Sequence, residues 1–247
     1  MLALCDPSED SHSSHLISKV YASISTVATL SQQDKWHYFN DRAILAPLNA
    51  EVDVINNSCL AALPGEANTY LSADTAIDDT GTADHSYPPE YLNTITFSGM
   101  PPHSLCLKPG CPIILLRSLD FRAGLCNGTR LIITALKDRL VEAKILSGTH
   151  AGTAVFIPRI NLMNNPAPNI PFHLRRRQLP FRLAFAMSIN KSQGQSVPIL
   201  GIQLSTPVFA HGQLYVALSR AGDYQQIYIS AKGKCFTKNI VYREVLS

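Results

Sequence analysis

The sequence predicts an α/β domain interrupted by an inserted small antiparallel β-barrel. Three observations lead there. Residues 16–63 read as helix, strand, helix. From Leu107 to about Leu183 the chain is dense in short strand signals separated by tight turns. After Arg182 it reverts to longer apolar runs alternating with helix-like segments, the pattern of a mainly parallel sheet covered by helices. The 247 residues suffice for one large domain or two modest ones.

Composition narrows the class. A hydrophobic fraction of 46% with only 16% charged residues excludes a highly charged disordered chain. A net charge of +3 is too small to argue nucleic-acid binding by itself, so any such argument has to come from local clusters. Cys5, Cys59, Cys106, Cys111, Cys126 and Cys235 include no C-x-x-C pair and complete no zinc spacing. They read as buried or incidental thiols in a reducing compartment. No apolar run reaches membrane-spanning length. Met1 to His15 is polar and Ser-rich, which predicts a frayed start rather than a secretory signal, and hence an intracellular soluble protein.

Leu16, Ile17, Val20, Ile24, Val27 and Leu30 recur at spacings of three and four, predicting an amphipathic helix over 16–30. Arg42 to Ala46 is a short apolar run stopped by Pro47, a strand. Asn49 then suits an N-cap, with Glu51 in the first turn of a helix to about Leu63 that buries Val52, Ile55, Leu60 and Leu63 and is closed by Pro64-Gly65. Residues 73–103 read as a solvated acidic loop carrying Asp74, Asp78, Asp79 and Asp84. A cation site is the weaker reading, since the carboxylates lack a recognised loop spacing. Strands are expected at 112–116, 128–133, 140–146 and 155–157, with turns at Asn127-Gly128 and Ser147-Gly148. Longer strands follow at 183–189, 199–204 and 227–229.

The chemistry concentrates in two segments. The apolar run Ala184 to Ile189 delivers Lys191, Ser192, Gln193 and Gly194 at its tip. Lys191 can pair with a phosphate, Ser192 and Gln193 can hydrogen-bond, and Gly194 permits close backbone approach. An ordinary polar turn explains the same residues. The second segment, Gly212 to Ala221, reads as a short helix that buries Leu214, Ala217 and Leu218 and ends in Arg220. A cation there suits the helix dipole or can reach a phosphate. Arg175, Arg176 and Arg177 are candidate DNA phosphate contacts, though a solvated basic loop is the commoner meaning of such a run. A P-loop, G-x-x-x-x-G-K-[ST], is absent. Gly233-Lys234 is followed by Cys235 and lacks the earlier Gly, and no Asp-Glu pair ends a strand to hold Mg²⁺. No catalytic dyad or cofactor fingerprint supports a metabolic α/β enzyme.

These segments carry a family resemblance. Arg42 to Asn49 with Val52 to Asn56, Tyr70 to Asp74, Gly99 to His103, Leu107 to Pro112, Leu115 to Asp120, Gly124 to Arg130, Leu174 to Pro180, and the Lys191 and Arg220 segments together resemble the C-terminal half of Pif-type, Helitron-like superfamily-one DNA helicases. The resemblance covers about residues 16–232. It implies a second RecA-like domain of P-loop-NTPase type, 16–107 with 179–247, interrupted by an SH3-like β-barrel at 108–178 that helps guide or split strands.

By motif position, Arg220 is then the arginine finger and Gln213, with Gly194, lies at the nucleotide cleft. Lys191, Ser192 and Gln193 couple that cleft to single-stranded DNA, and Asn49 lies near the DNA track. ATP and Mg²⁺ are implied by the family, held mainly by a first RecA-like domain whose motifs this chain lacks. The resemblance implies roles in DNA repair, recombination and telomere maintenance, and a nuclear location. The expectation is a helicase half inactive alone. The alternatives are a non-catalytic single-strand-binding module or a non-functional mobile-element fragment.

Overall fold

The structure, a computed structural model, describes residues 3–4, 11–78, 80–164, 170–231, 239–242 and 244. They form two compact units, Met1–Pro64 with Ala184–Ser247, and Gly65–Leu183. The α/β unit is thus split in sequence. The breaks fall after Pro64 and Leu183 rather than at 107 and 178: residues 73–77 pair with 173–177 and residues 181–183 with 113–115, which ties both stretches to the second unit.

In chain order, the first unit opens with β1 (Ala3–Leu4), α1 (Ser11–Val20), α2 (Gln32–Asn40), β2 (Arg42–Ala46) and α3 (Asn49–Ala62). The second unit holds β3 (Asn68–Leu71), β4 (Ala73–Ile77), β5 (Ala83–Asp84), α4 (Pro89–Thr94), β6 (Ser104–Leu107) and β7 (Pro112–Leu115). It continues through β8 (Arg130–Leu136), β9 (Leu140–Ile145), β10 (Ala154–Pro158), β11 (Ile160–Met163), β12 (His173–Gln178) and β13 (Phe181–Leu183). The chain then returns to the first unit with β14 (Ala186–Ser188), β15 (Ile199–Leu204), α5 (Gln213–Leu218) and β16 (Ile227–Ala231).

The first unit is built on a five-stranded sheet, order β1-β16-β15-β2-β14, in which every pairing is parallel. Its strands are apolar runs because both faces are covered: Ala43 to Ala46, Leu200 and Ile202 are fully buried. Gly201 lets α1 lie close on the sheet, since a Cβ there would sit 2.9 Å from both Ile44 Cγ1 and Val20 Cγ2. Tyr21, Phe39 and Phe185 pack edge-on or tilted, with Phe185 centroids 5.9 Å from Tyr21 and 5.7 Å from Phe39. The Tyr21 hydroxyl donates to the Phe185 carbonyl at 2.6 Å. On edge strand β14, the Ala186 amide donates to Asn56 Oδ1 at 2.8 Å and Asn56 Nδ2 donates back to the Ala186 carbonyl.

The first unit departs from the sequence expectation at four points. The start is not frayed throughout, since Ala3 and Leu4 pair with Tyr228 and Ile229 and α1 begins at Ser11. The helix expected over 16–30 ends at Val20 and resumes as a 3-10 turn at Ile24–Thr29, which leaves Tyr21 to reach Phe185. Asn49 is the first helical residue of α3, whose cap is Leu48 without a side-chain bond. The run 183–189 is not one strand: Leu183 ends β13 in one unit and Ala186 begins β14 in the other.

The second unit contains antiparallel sheets of five strands (β10-β9-β8-β7-β13), four strands (β11-β12-β4-β5) and two strands (β3-β6). Gly128 and Gly148 take φ of +89°, as turns at those positions require. Behind the four-stranded sheet, Ala76, Leu92, Met100, Leu162, Phe172 and Leu174 form a core that α4 helps close. The stretch read as a solvated acidic loop is therefore largely ordered, holding β4, β5 and α4. Asp79, Cys5, Lys234 and Cys235 lie outside the described residues.

Candidate nucleotide-coupling and nucleic-acid interface

Strand β14 ends in a 3-10 turn, Ile189–Ser192, that carries Lys191 beyond the sheet's carboxyl edge. Gly194 then takes φ +76°, open to glycine at little cost, and reverses the chain. Gln193 and Gly194 are exposed and Lys191 is half-buried. Ser192 differs from expectation: it is fully buried, and its hydroxyl donates to the Ile189 carbonyl at 2.6 Å. It shapes the turn rather than offering a hydroxyl to DNA. Gln195 Nε2 closes the turn further by donating to the Lys191 carbonyl at 3.2 Å.

Helix α5 brings Arg220 to this turn. Ala217 is buried, while Leu214 and Leu218 are half-buried rather than fully so. The Arg220 guanidinium donates through Nε to Val216 O at 3.0 Å, and through one terminal nitrogen to Gln195 O at 3.3 Å and Ser192 O at 3.5 Å. The other terminal nitrogen donates to Ser219 Oγ at 2.9 Å. The Val197 amide donates to the Arg220 carbonyl at 2.9 Å, so main chain and side chain tie the same loop. Gln213 is buried, and its Oε1 accepts from the Phe209 amide at 3.0 Å, which fixes the entry to α5. Its neighbour Tyr215 is 72% exposed.

Asn49 is exposed just past the end of β2, the parallel neighbour of β14. Close by, Glu51 Oε1 accepts from the Thr206 amide at 3.0 Å, joining the ends of β2 and β15. Lys191, Gln193, Gly194 and Asn49 are thus delivered by loops beyond adjacent strands. Carboxyl-edge crevices of this kind are where open α/β sheets bind ligands.

The arginine run lies on β12, not in a loop, and alternation separates its members. Arg176 points inward and is corrected as a DNA contact: its side chain is 1% exposed and pairs with Asp74 at 2.6 Å. It also donates to the carbonyls of Pro101, Leu92 and Ile95. Arg175 is half-buried and Arg177 exposed, on the opposite face. They stand across from Thr75 and Ala73 on β4 and from Met163 and Asn161 on β11. Asp74 is therefore a buried anion rather than part of a solvated cluster. Among the described residues no group of three or more His, Cys, Asp or Glu is arranged to hold a metal. No described helix is long and apolar enough to cross a membrane.

Sequence reasoning overlooks Gln195 and Val197, since the Gln195 carbonyl and the Val197 amide meet Arg220 through backbone atoms, which leave no residue-type signature.

A family model described as the 2B domain of DNA helicase Pif1 matches residues 90–136. The ATP-dependent DNA helicase PIF1 of Xenopus laevis is 31% identical over 179 residues, covering 72% of this chain and 26% of that protein. That of Danio rerio is 33% identical over 182 residues, with coverage of 72% and 26%. The chain spans about a quarter of the length of the curated relatives it matches. Among solved structures, a Bacteroides Pif1 bound to ssDNA superposes with a TM-score of 0.61 at 23% identity, over 94% of this chain and 52% of that one. That likeness shows a shared fold, the RecA-like helicase fold, with mixed parallel and antiparallel sheets.

Proposed function

We propose, for a chain that is a homologue of the C-terminal part of Pif1-type DNA helicases, that it serves as the coupling half of an ATP-dependent DNA motor. In this reading the parallel-sheet unit is the second RecA-like domain and the inserted unit contains the SH3-like barrel. The observation that carries it is the bonding of Arg220 to Ser192 and Gln195. An arginine able to meet a phosphate is thereby wired to the turn that presents Lys191 to a nucleic-acid strand.

Arg220 is the arginine finger of this reading, and its guanidinium is suited to offset charge on a phosphoryl group. Its present bonds to backbone carbonyls hold it half-buried at the end of α5. Reaching a phosphate would exchange some of those bonds to neutral carbonyls for ion-paired bonds to an anion, which are stronger. The Ser192–Val197 segment would then be released whenever a phosphate draws the arginine away. Bound ATP would supply the γ-phosphoryl group, and the P-loop and Mg²⁺ carboxylates that would hold it have no matching motif in these 247 residues. They would come from another domain or chain. The residues here fit the outer side of such a site and not its phosphate cradle.

Single-stranded DNA is the proposed partner; the candidate contacts are Lys191, Gln193 and Asn49 within the parallel-sheet unit and, taken separately, Arg175 and Arg177 within the inserted unit. Arg175 and Arg177, two residues apart on one strand face, are about 6.8 Å apart along β12 at ordinary strand rise. That favours a second reading, a non-catalytic single-strand-binding module, since each unit has cations of its own. A nuclear location belongs to this proposal on the resemblance to eukaryotic helicases.

The experiment is equilibrium binding of a labelled oligothymidylate to the purified chain across a salt series. The expected result is binding that weakens with salt. Lys191→Ala and Arg177→Ala should each lower the slope by about 0.7, one released counterion for single strands. Absence of binding would sink both readings.

A further inference from the structure

The loop between β7 and β8 holds a phenylalanine away from any core. Phe121 is 76% exposed, the most exposed large hydrophobic side chain among the described residues. The loop beneath it is stiff. The Leu119 amide donates to Leu125 O and the Leu125 amide to Asp120 O, both at 2.8 Å, which closes a two-stranded neck. Asp120 Oδ1 accepts from the amides of Arg122 and Ala123 at 2.8 and 3.2 Å. Thr129 Oγ1 donates to Gly124 O at 2.9 Å, and the Asn127 amide donates to Ser118 Oγ at 3.0 Å. Leu125 anchors the loop in the interior. Gly124, at φ +75°, lies against His150, whose ring would meet a Cβ there at 2.6 Å.

We infer that Phe121 is a stacking platform for a base of single-stranded nucleic acid, with Arg122 beside it for the adjoining phosphate. The inference rests on the single-strand-binding reading above. Three features choose the occupant. The next residue, Arg122, is an exposed cation, a combination suited to a base and its phosphate. Asp120, the nearby carboxylate, is engaged with backbone amides and turned to loop closure. The flanking residues Asp120, Arg122 and Ala123 add no second large apolar side chain to the tip. The prebuilt loop bonds mean little conformational freedom is lost when a base arrives.

The test is equilibrium binding of the full 247-residue chain to oligothymidylate and to an abasic strand of equal length. Phe121→Ala should weaken oligothymidylate binding about 5- to 150-fold without changing the salt slope. Phe121→Leu, which keeps apolar bulk, should lose comparably, and Phe121→Trp should retain binding. Arg122→Ala should instead lower the slope by about 0.7. On the abasic strand Phe121→Ala should match the unsubstituted chain. Equal affinity of Phe121→Ala and the unsubstituted chain for oligothymidylate would overturn the stacking role and leave strand binding standing. A loss of the same size on the abasic strand would overturn it too. Failure of the unsubstituted chain to bind would overturn both. Concentration-dependent self-association abolished by Phe121→Ala would reassign the ring to a protein contact.

Discussion

The Arg220 guanidinium donates to the Gln195 carbonyl at 3.3 Å, and the Val197 amide donates back to the Arg220 carbonyl at 2.9 Å. The arginine of α5 and the turn after β14 are therefore one structural piece. Arg220→Ala should free the Ser192 and Gln195 carbonyls to water at a cost of about 1 kcal/mol, kept small because the site is half-exposed. The expected result is faster hydrogen exchange of the amides from Gln193 to Val197, with the strands of the parallel sheet unchanged. Arg220→Lys should not restore protection, because one ammonium cannot span several carbonyls as the planar fork does.

Arg176 and its neighbours on β12 should separate sharply. Arg176→Ala leaves the Asp74 carboxylate buried and unpaired and should cost about 3–5 kcal/mol in urea unfolding. Arg177→Ala should change stability by less than about 0.5 kcal/mol. The two substitutions thus distinguish a structural arginine from one available to a ligand.

Gly201→Ala should destabilise the parallel-sheet unit by about 1–3 kcal/mol, because Ile44 and Val20 must both move to admit a Cβ. The measurement is the shift in unfolding midpoint. A neutral result would show that α1 can lift from the sheet without cost.

Burial pushes the thiols of Cys59 and Cys111 up to about 12. Both should resist alkylation at neutral pH in the native protein and react when it is unfolded. In unfolded chains these thiols ionise near their ordinary value, before the native ones do. Over that range the unfolded state binds fewer protons, so stability should fall as pH rises from about 9 toward 12. Burial raises Tyr38 to about 12 as well, with the same sign starting from a higher ordinary value. Cys59→Ala should flatten the slope of unfolding midpoint against pH.

What was legible in the sequence follows from range. The strands Arg42–Ala46, Ile199–Leu204 and Ile227–Ala231 declare themselves as apolar runs because both their faces are buried. Strand β12 does not, because two of its three buried positions are polar, Arg176 and Gln178, and Arg176 is made tolerable by Asp74 at a separation of 102 residues. The run 183–189 reads as one strand because burial alone carries no mark of the point where the chain passes between units. Asn49 had the right chemistry for a cap, yet Leu48 holds that position. Residue type singles out Lys191, Gln193, Gly194 and Arg220 as candidates for the proposed coupling. That Ser192 turns inward, and that Gln195 receives the arginine, depends on backbone geometry that no side-chain pattern encodes.

The most direct test of the central claim measures ATP hydrolysis and oligothymidylate binding on the same preparation of the 247-residue chain. A coupling half without a phosphate cradle should bind the strand in a salt-sensitive manner and release no phosphate from ATP, with or without DNA. DNA-stimulated hydrolysis by this chain alone, abolished by Arg220→Ala, would contradict it.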